Sequence, residues 1–293
     1  MLSSGLALLL ALPLLNIAPD AAAAEVTVST VSYGPTPDEI IRTHTIESET
    51  TMPWVALVHG GSWATGSVTA TDAVAAKFVA AGFQVFSIEY AKIYGARAAQ
   101  WPQQRIDVAK GIEWVKDHAR QYDLDPDRGA VYGFSSGGHI AASVGVQEAG
   151  LVRAVVTNMA PNQPQRLLDV AAADPDVGHG GDFPTPAVRI LADWAVVATG
   201  CPRVTWPSCT RKWDDFMPEK HLDPRDPPFL VIQGMKDTAV PPHDAFVYWL
   251  GRYGVARTWI RCTNFGHTEF CGLDNGVNEQ QVMKFLRATT AAA

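Results

Sequence analysis

Short segments with strand-like composition alternate with longer stretches whose apolar residues recur at helical spacing along most of this 293-residue chain. The strand-like segments are residues 54–58, 83–88, 152–157, 228–232 and 257–262. The helix-like segments are residues 69–81, 103–122 and 136–148. Residues 25–51 contain stretches in which Val or Ile alternates with Thr and Ser, which predicts an antiparallel edge. Strands that alternate with helices predict an α/β fold, in which a mostly parallel twisted sheet has helices on both faces.

A Gly-x-Ser-x-Gly motif lies at one predicted strand-to-helix junction. Residues 131–139 read Val-Tyr-Gly-Phe-Ser-Ser-Gly-Gly-His, with Ser135 at the centre of the motif. The glycines allow a sharp turn, because a larger side chain would collide with the neighbouring strand or helix. Such a turn projects the Ser135 hydroxyl from the sheet edge, where an adjacent base can activate it as a nucleophile. For this motif alone, an ordinary glycine-rich turn is the alternative interpretation.

A second glycine motif, His59-Gly60-Gly61-Ser62-Trp63, follows the predicted strand 54–58. Glycines after a strand let backbone N–H groups face a ligand, and an oxyanion hole needs such preorganised donors. We expect the N–H groups of Ser136 and of Gly61 or Ser62 to be these donors. His59 is expected to brace the loop by hydrogen bonding. Taken alone, this motif also fits a plain strand-to-loop turn.

Two further polar residues follow the last two predicted strands. Asp237 lies just after residues 228–232, and His267 lies in a glycine-containing loop after residues 257–262. The chain order Ser135, Asp237, His267 is that of the α/β-hydrolase fold, and differs from the orders of the chymotrypsin and subtilisin types. His267 is therefore the candidate general base, and Asp237 is the candidate residue that orients it.

Residues 161–226 break the alternation of strands and helices. This stretch is rich in Pro, Asp and Trp, and we interpret it as a cap insertion over the mouth of the site. Trp194, Trp206 and Trp213 either line an acyl or aryl pocket or pack the insertion's own core. Packing is the favoured interpretation for at least two of the three.

Together these motifs resemble the α/β-hydrolases of the carboxylesterase and lipase type. The resemblance is strongest to small esterases with an HGG-x-W oxyanion loop and a GFS-x-GG nucleophile elbow, and its motifs lie between residues 54 and 269. Two positions depart from the pattern. Ala91 follows the Glu-Tyr pair where relatives often have Arg, and Ser62 replaces the third Gly of the loop.

The resemblance implies a serine hydrolase that cleaves carboxylic esters through an acyl-enzyme on Ser135, with no metal and no organic cofactor. Two alternatives stay open at this point. One is amide cleavage, by a formamidase-like or peptidase-like enzyme, and the other is a non-catalytic binding module on a hydrolase fold.

Composition narrows the range of partners. A content of 47% hydrophobic residues is enough for one sizeable domain, expected over residues 25–293. The net charge of −7, without any Lys/Arg cluster, argues against nucleic acid and anionic membrane surfaces as partners. The expected partner is a small-molecule or polymer-linked ester substrate. The sequence does not indicate an oligomeric state.

The start of the chain and its cysteines point to export. Residues 1–24 combine a Leu/Ala-rich run with small residues before Glu25, which predicts a cleaved signal peptide and a secreted protein without stable membrane insertion. The basic start of a signal peptide is missing, and a retained anchor is the competing interpretation.

Four cysteines allow three disulfide connectivities, and proximity favours Cys201–Cys209 and Cys262–Cys271. A zinc site is the alternative, but the chain has no Cys-x-x-Cys pair.

Overall fold

A computed structural model describes residues 25–172, 186–202, 207–242, 244–268, 271–273 and 276–292 of the chain. The predicted signal peptide, residues 1–24, lies outside the described residues, as does Trp206.

The described part of the chain is built around an eight-stranded sheet with the order β1-β2-β4-β3-β5-β6-β7-β8. The strands are β1 (Thr27–Ser32), β2 (Ile40–Thr45), β3 (Met52–Val58), β4 (Gln84–Ile88), β5 (Leu124–Phe134), β6 (Ala154–Asn158), β7 (Phe229–Gly234) and β8 (Arg257–Cys262). β1 pairs with β2, and β2 with β4, in antiparallel register, whereas all other neighbours are parallel. The predicted antiparallel edge and mostly parallel sheet are therefore confirmed.

Helices cover both faces of the sheet. They are α1 (Asp72–Ala80), α2 (Gln103–Asp117), α3 (Ser136–Gln147), α4 (Pro164–Ala172), α5 (Pro186–Thr199), α6 (Pro207–Phe216), α7 (Ala245–Arg252) and α8 (Gly276–Thr289). α1 and α8 pack on one face, and α2, α3 and α7 pack on the other. The central strands are buried on both sides, which explains why β3 and most of β7 read as continuous apolar runs rather than alternating ones.

The long helix predicted over residues 103–122 is shorter in the structure. α2 ends at Asp117, and a separate 3₁₀ turn spans Ala119–Tyr122. The ring of His118 stacks on Trp114 with centroids 3.9 Å apart, and its Nδ1 lies 2.8 Å from the Trp114 carbonyl oxygen. A side chain thus binds one of the last helical carbonyls, which is a common way to end a helix.

The segment between β6 and β7 contains α4, α5, α6 and a 3₁₀ turn, Pro218–Lys220. Trp213 is fully buried within it, where its indole N–H donates to the Cys201 carbonyl oxygen at 3.1 Å. Trp194 is half-buried and meets Tyr94 edge to face. Trp213 therefore packs the insertion's own core.

In the part of the chain that the structure describes, there is no helix with the length and apolar character that a membrane span needs.

Candidate active site

Ser135 stands at the tight turn between β5 and α3, in a conformation that few residues adopt. Its φ is 55° and its ψ is −127°, in a sparsely populated region of backbone space. The two flanking glycines allow this turn. A Cβ on Gly133 would lie 2.2 Å from the Gly137 carbonyl oxygen, and one on Gly137 would lie 2.2 Å from the Val58 carbonyl oxygen. Only glycine fits at either position, because the colliding atoms belong to the backbone.

The structure brings the three candidate residues into one hydrogen-bonded series. His267 Nε2 lies 2.9 Å from Ser135 Oγ, and His267 Nδ1 lies 2.7 Å from Asp237 Oδ2. Ser135 and Asp237 are buried, whereas a quarter of the His267 side chain is exposed. The imidazole can therefore accept a proton from the hydroxyl while its other nitrogen donates to a buried carboxylate.

Asp237 is fixed by its own loop. Its second oxygen, Oδ1, accepts the backbone N–H groups of Ala239 at 2.9 Å and Val240 at 2.8 Å. This turn follows β7 directly, so the carboxylate stays at the carboxyl edge of the sheet. Oδ2 remains directed at His267, which selects the tautomer with hydrogen on Nδ1.

The loop that carries His267 is held at both of its ends. Cys262, the last residue of β8, is bonded to Cys271, with Cα atoms 6.1 Å apart. Cys201 and Cys209 form the other disulfide, so both pairs follow the connectivity that proximity favours. The ring of Phe134 also packs against His267, with centroids 5.0 Å apart.

The loop after β3 lies directly beside Ser135. A Cβ on Gly60 would lie 3.1 Å from the Ser135 Cβ. The carbonyl of Gly61 accepts the N–H groups of Ala64 at 3.0 Å and Thr65 at 2.9 Å, so the N–H of Ser62 points to the opposite side of that peptide. Gly61, Ser62 and Trp63 all have positive φ. No acceptor among the described residues is bound by the N–H groups of Gly61 or Ser62.

Three buried residues and the half-buried Lys92 brace this loop, and the sequence analysis gave a bracing role only to His59. His59 Nε2 lies 2.8 Å from Glu89 Oε1, and the His59 ring stacks on Tyr90 with centroids 4.4 Å apart. Lys92 Nζ donates to the same Glu89 oxygen at 2.7 Å. Burial raises the pKa of Glu89, but the bonds and charges of His59 and Lys92 outweigh it and lower that pKa to about 2. Glu89 follows β4, so its place beside His59 depends on a strand pairing that no local motif shows.

His139, four residues after Ser135, packs between α3 and the insertion. Its Nε2–H donates to the Phe216 carbonyl oxygen at 2.6 Å, and its Nδ1 accepts the indole N–H of Trp63 at 3.3 Å. Burial lowers the pKa of His139 to about 4, against a smaller opposite effect of the Phe216 carbonyl. His139 is thus a neutral packing residue.

Within the described ranges, no group of three or more His, Cys, Asp or Glu side chains has an arrangement that could hold a metal ion.

Comparison with known proteins shows that the chain is similar to esterases. The model of the BD-FAE family matches residues 43–173, which include the loop after β3 and Ser135. The probable carboxylic ester hydrolase LipM of Mycobacterium tuberculosis is 27% identical over 208 residues, which are 67% of this chain and 43% of LipM. Esterase LipC of the same organism is 27% identical over 262 residues, which are 84% of this chain and 59% of LipC.

The chain has the α/β-hydrolase fold, and its sequence is similar to those of carboxylic ester hydrolases. Among solved structures of this fold, a truncated form of a carbohydrate esterase from gut microbiota aligns with a TM-score of 0.71 at 22% identity. The alignment covers 91% of this chain and 97% of that one. The chain spans about half the length of LipM and LipC.

Proposed function

We propose that this chain is a serine hydrolase that cleaves carboxylic esters through an acyl-enzyme on Ser135. The observation that carries the proposal is the series Ser135 Oγ, His267 and Asp237, next to a loop whose Gly61 and Ser62 N–H groups bind no acceptor among the described residues. The contact between Ser135 Oγ and His267 Nε2 has the length that proton transfer requires, and the contact to Asp237 has the length of a hydrogen bond that orients the ring.

In the first half of the reaction, Ser135 Oγ attacks the carbonyl carbon of the ester while His267 Nε2 takes the hydroxyl proton. The carbonyl π electrons move to oxygen, and the N–H groups of Ser136 and of Gly61 or Ser62 stabilise that oxyanion. Collapse of the intermediate breaks the bond to the alcohol oxygen. The imidazolium of His267 returns its proton to this oxygen, so the alcohol leaves neutral and the acyl group stays on Ser135.

In the second half, water takes the place of the alcohol. His267 removes a proton from the water as its oxygen attacks the acyl carbon, and the same N–H groups hold the second oxyanion. The bond to Ser135 Oγ then breaks, and His267 gives the proton back to Oγ. The carboxylic acid leaves and the resting side chains are restored. Asp237 keeps the Nδ1–H of His267 in place throughout and stabilises the imidazolium.

We also propose that the protein works outside the cytosol, on a small-molecule or polymer-linked ester. The disulfides Cys201–Cys209 and Cys262–Cys271 support this location, since disulfides persist in oxidising compartments. Expression of the full chain, followed by cell fractionation and mass measurement of the mature N-terminus, tests it. A full-length protein in the cytosol would contradict export.

The first prediction removes the nucleophile. Ser135→Ala should lower kcat for a short-chain nitrophenyl ester by about 10⁵-fold or more, since the acyl-enzyme can no longer form. A fluorophosphonate probe should label the wild-type protein at Ser135 and leave the variant unlabelled. Retained hydrolysis by the variant would overturn the proposal.

Ser143→Ala provides the matched control. It removes a hydroxyl from α3, the helix that follows Ser135, where Ser143 Oγ donates to the His139 carbonyl oxygen at 3.0 Å, and it leaves the sheet edge intact. Its kcat should stay within a few-fold of wild type. An ester and an amide with the same acyl group, compared by kcat/KM, separate ester hydrolysis from amide cleavage.

A further inference from the structure

The hydrogen bonds around Glu89 define its charge. Its Oε1 receives the ammonium of Lys92 at 2.7 Å and the backbone N–H of Tyr90 at 3.2 Å, and its Oε2 receives the N–H of Val68 at 3.2 Å. All three are donors that cannot accept, so each of these contacts favours the ionised carboxylate. Glu89 is therefore an ionised carboxylate, although only 4% of the residue is exposed.

Both ring nitrogens of His59 face acceptors. Nε2 lies 2.8 Å from this carboxylate, and Nδ1 lies 2.7 Å from the carbonyl oxygen of Gly60. The Tyr90 hydroxyl is 3.4 Å from Nδ1, but its one hydrogen goes to the His59 carbonyl oxygen at 2.9 Å. A neutral imidazole would turn a lone pair toward one of the two acceptors. Only the doubly protonated ring satisfies both contacts.

We propose that His59 is a buried imidazolium, held by Glu89, that polarises the Gly60–Gly61 peptide and strengthens the Gly61 N–H as an oxyanion donor. The carbonyl that His59 binds and the N–H of Gly61 belong to the same amide group. A cation on the carbonyl oxygen draws electron density from the amide nitrogen, which makes its hydrogen a better donor. His59 and Glu89 are then positioning residues that act through the backbone, and the inference rests on the proposed function.

The surrounding contacts favour a charged ring at this position. Tyr90 lies parallel to His59 at an interplanar angle of 18°, so the face of its ring meets the imidazolium. Gly66 approaches from another side, where a Cβ would lie 2.5 Å from His59 Nδ1 and 2.5 Å from the Gly60 carbonyl oxygen. The absence of a side chain at Gly66 lets the Nδ1–H reach the carbonyl directly.

The expected contribution is modest. One oxyanion donor changes the rate by about 10²–10³-fold, and neighbouring hydrogen bonds strengthen one another by roughly 10–30%. The imidazolium should therefore be worth about two- to tenfold in kcat. If His59 only braced the loop, its charge would contribute nothing.

The first test reads the ring directly. In ¹⁵N-labelled wild-type protein at the pH of the assay, both nitrogens of His59 should carry hydrogen, as resolved in ¹H–¹⁵N spectra. A single bare nitrogen would overturn the inference. The measurement does not depend on ester hydrolysis, so it separates this inference from the role of Ser135.

The second test is Glu89→Gln, which keeps an oxygen that can accept from His59 Nε2 and removes the negative charge. We expect kcat to fall about two- to tenfold with KM unchanged, and the affinity for a boronic-acid transition-state analogue to fall by the same factor. If a folded Glu89→Gln protein kept the wild-type kcat, His59 would only brace the loop, and the proposal would be contradicted. Glu39→Gln is the control, because Glu39 is also a buried carboxylate but pairs with Lys110, away from the loop.

Discussion

The two halves of the candidate site are held in different ways. The half that carries Ser135 is fixed by backbone packed on backbone, since a Cβ on Gly137 would lie 2.2 Å from the Val58 carbonyl oxygen and 2.3 Å from that of His59. The half that carries Asp237 and His267 is fixed by side-chain hydrogen bonds and a disulfide. Changes to the first half should therefore affect folding, and changes to the second should affect catalysis with less effect on folding.

Among the changes that compare how the two halves are held, one in the second half has the largest expected effect. Asp237→Asn should lower kcat by about 10⁴-fold, because the amide can donate to His267 and hold it in the wrong tautomer. Thermal unfolding should change little, since Asn keeps an oxygen for the N–H groups of Ala239 and Val240. Steady-state kinetics and calorimetry measure the two effects.

The control for this change is Asp215→Asn. Asp215 Oδ2 accepts the indole N–H of Trp101 at 2.7 Å, and Asn keeps an oxygen for that bond. Its kcat should remain near that of wild type. Equal losses in the two variants would remove Asp237 from its proposed role.

The next effect is on the first half. Gly137→Ala should destabilise the fold by about 3 kcal/mol or more, because neither colliding carbonyl can move without shifting β3. Urea unfolding gives the difference. Gly276→Ala is the matched substitution, since a Cβ there meets nothing within 4 Å, and it should unfold like wild type. Similar stability of the two variants would mean that the backbone contact is not rigid.

A third change tests the contact between the Ser135 half and the insertion, which His139 makes with Phe216. His139 has a pKa of about 4 in the fold against 6.5 unfolded, so the unfolded state binds more protons between these values. Stability from His139 is therefore complete above pH 6.5 and is lost as the pH falls through 4, by about 3 kcal/mol in all. His139→Gln can donate to Phe216 and accept from Trp63 without titrating. Urea unfolding from pH 7 to 4 should show a smaller loss in this variant, and equal slopes would contradict the assignment.

The smallest effect separates the two disulfides. Replacing either pair by serine should cost about 2.5 kcal/mol, because the closed loops have similar lengths, with sequence separations of 8 and 9. Only the Cys262/Cys271 double variant should also lower kcat, since it frees the loop of His267. An equal kcat in the two double variants would show that the Cys262–Cys271 disulfide contributes only to stability.

Much of the site could be predicted from sequence because its parts are local. The apolar runs gave the central strands, and the glycine motifs marked the turns after β3 and β5. The positions of Asp237 and His267 followed from the rule that parallel strands end at one edge. Most of the fold and the candidate residues could thus be predicted from local sequence patterns and the regular geometry of a parallel sheet.

The features that the sequence did not predict depend on individual side-chain contacts. Glu89 reaches His59 because β4 lies beside β3, and the sequence shows the Glu-Tyr pair without showing that neighbour. The end of α2 was missed because apolar spacing continues to Tyr122, whereas the His118 side chain binds a helical carbonyl. Side-chain hydrogen bonds of this kind leave no periodic signal.

The short 3₁₀ turn after α6 gives the insertion a second proton-linked group. Burial raises the pKa of Glu219 to about 7, so its folded form holds a proton that the unfolded chain has already released. Its effect runs against that of His139: acid favours the folded carboxyl and disfavours the folded imidazole. Across roughly pH 4.5 to 6.5 the two effects compensate. Mild acidification therefore leaves their combined contribution to the free energy of unfolding nearly unchanged.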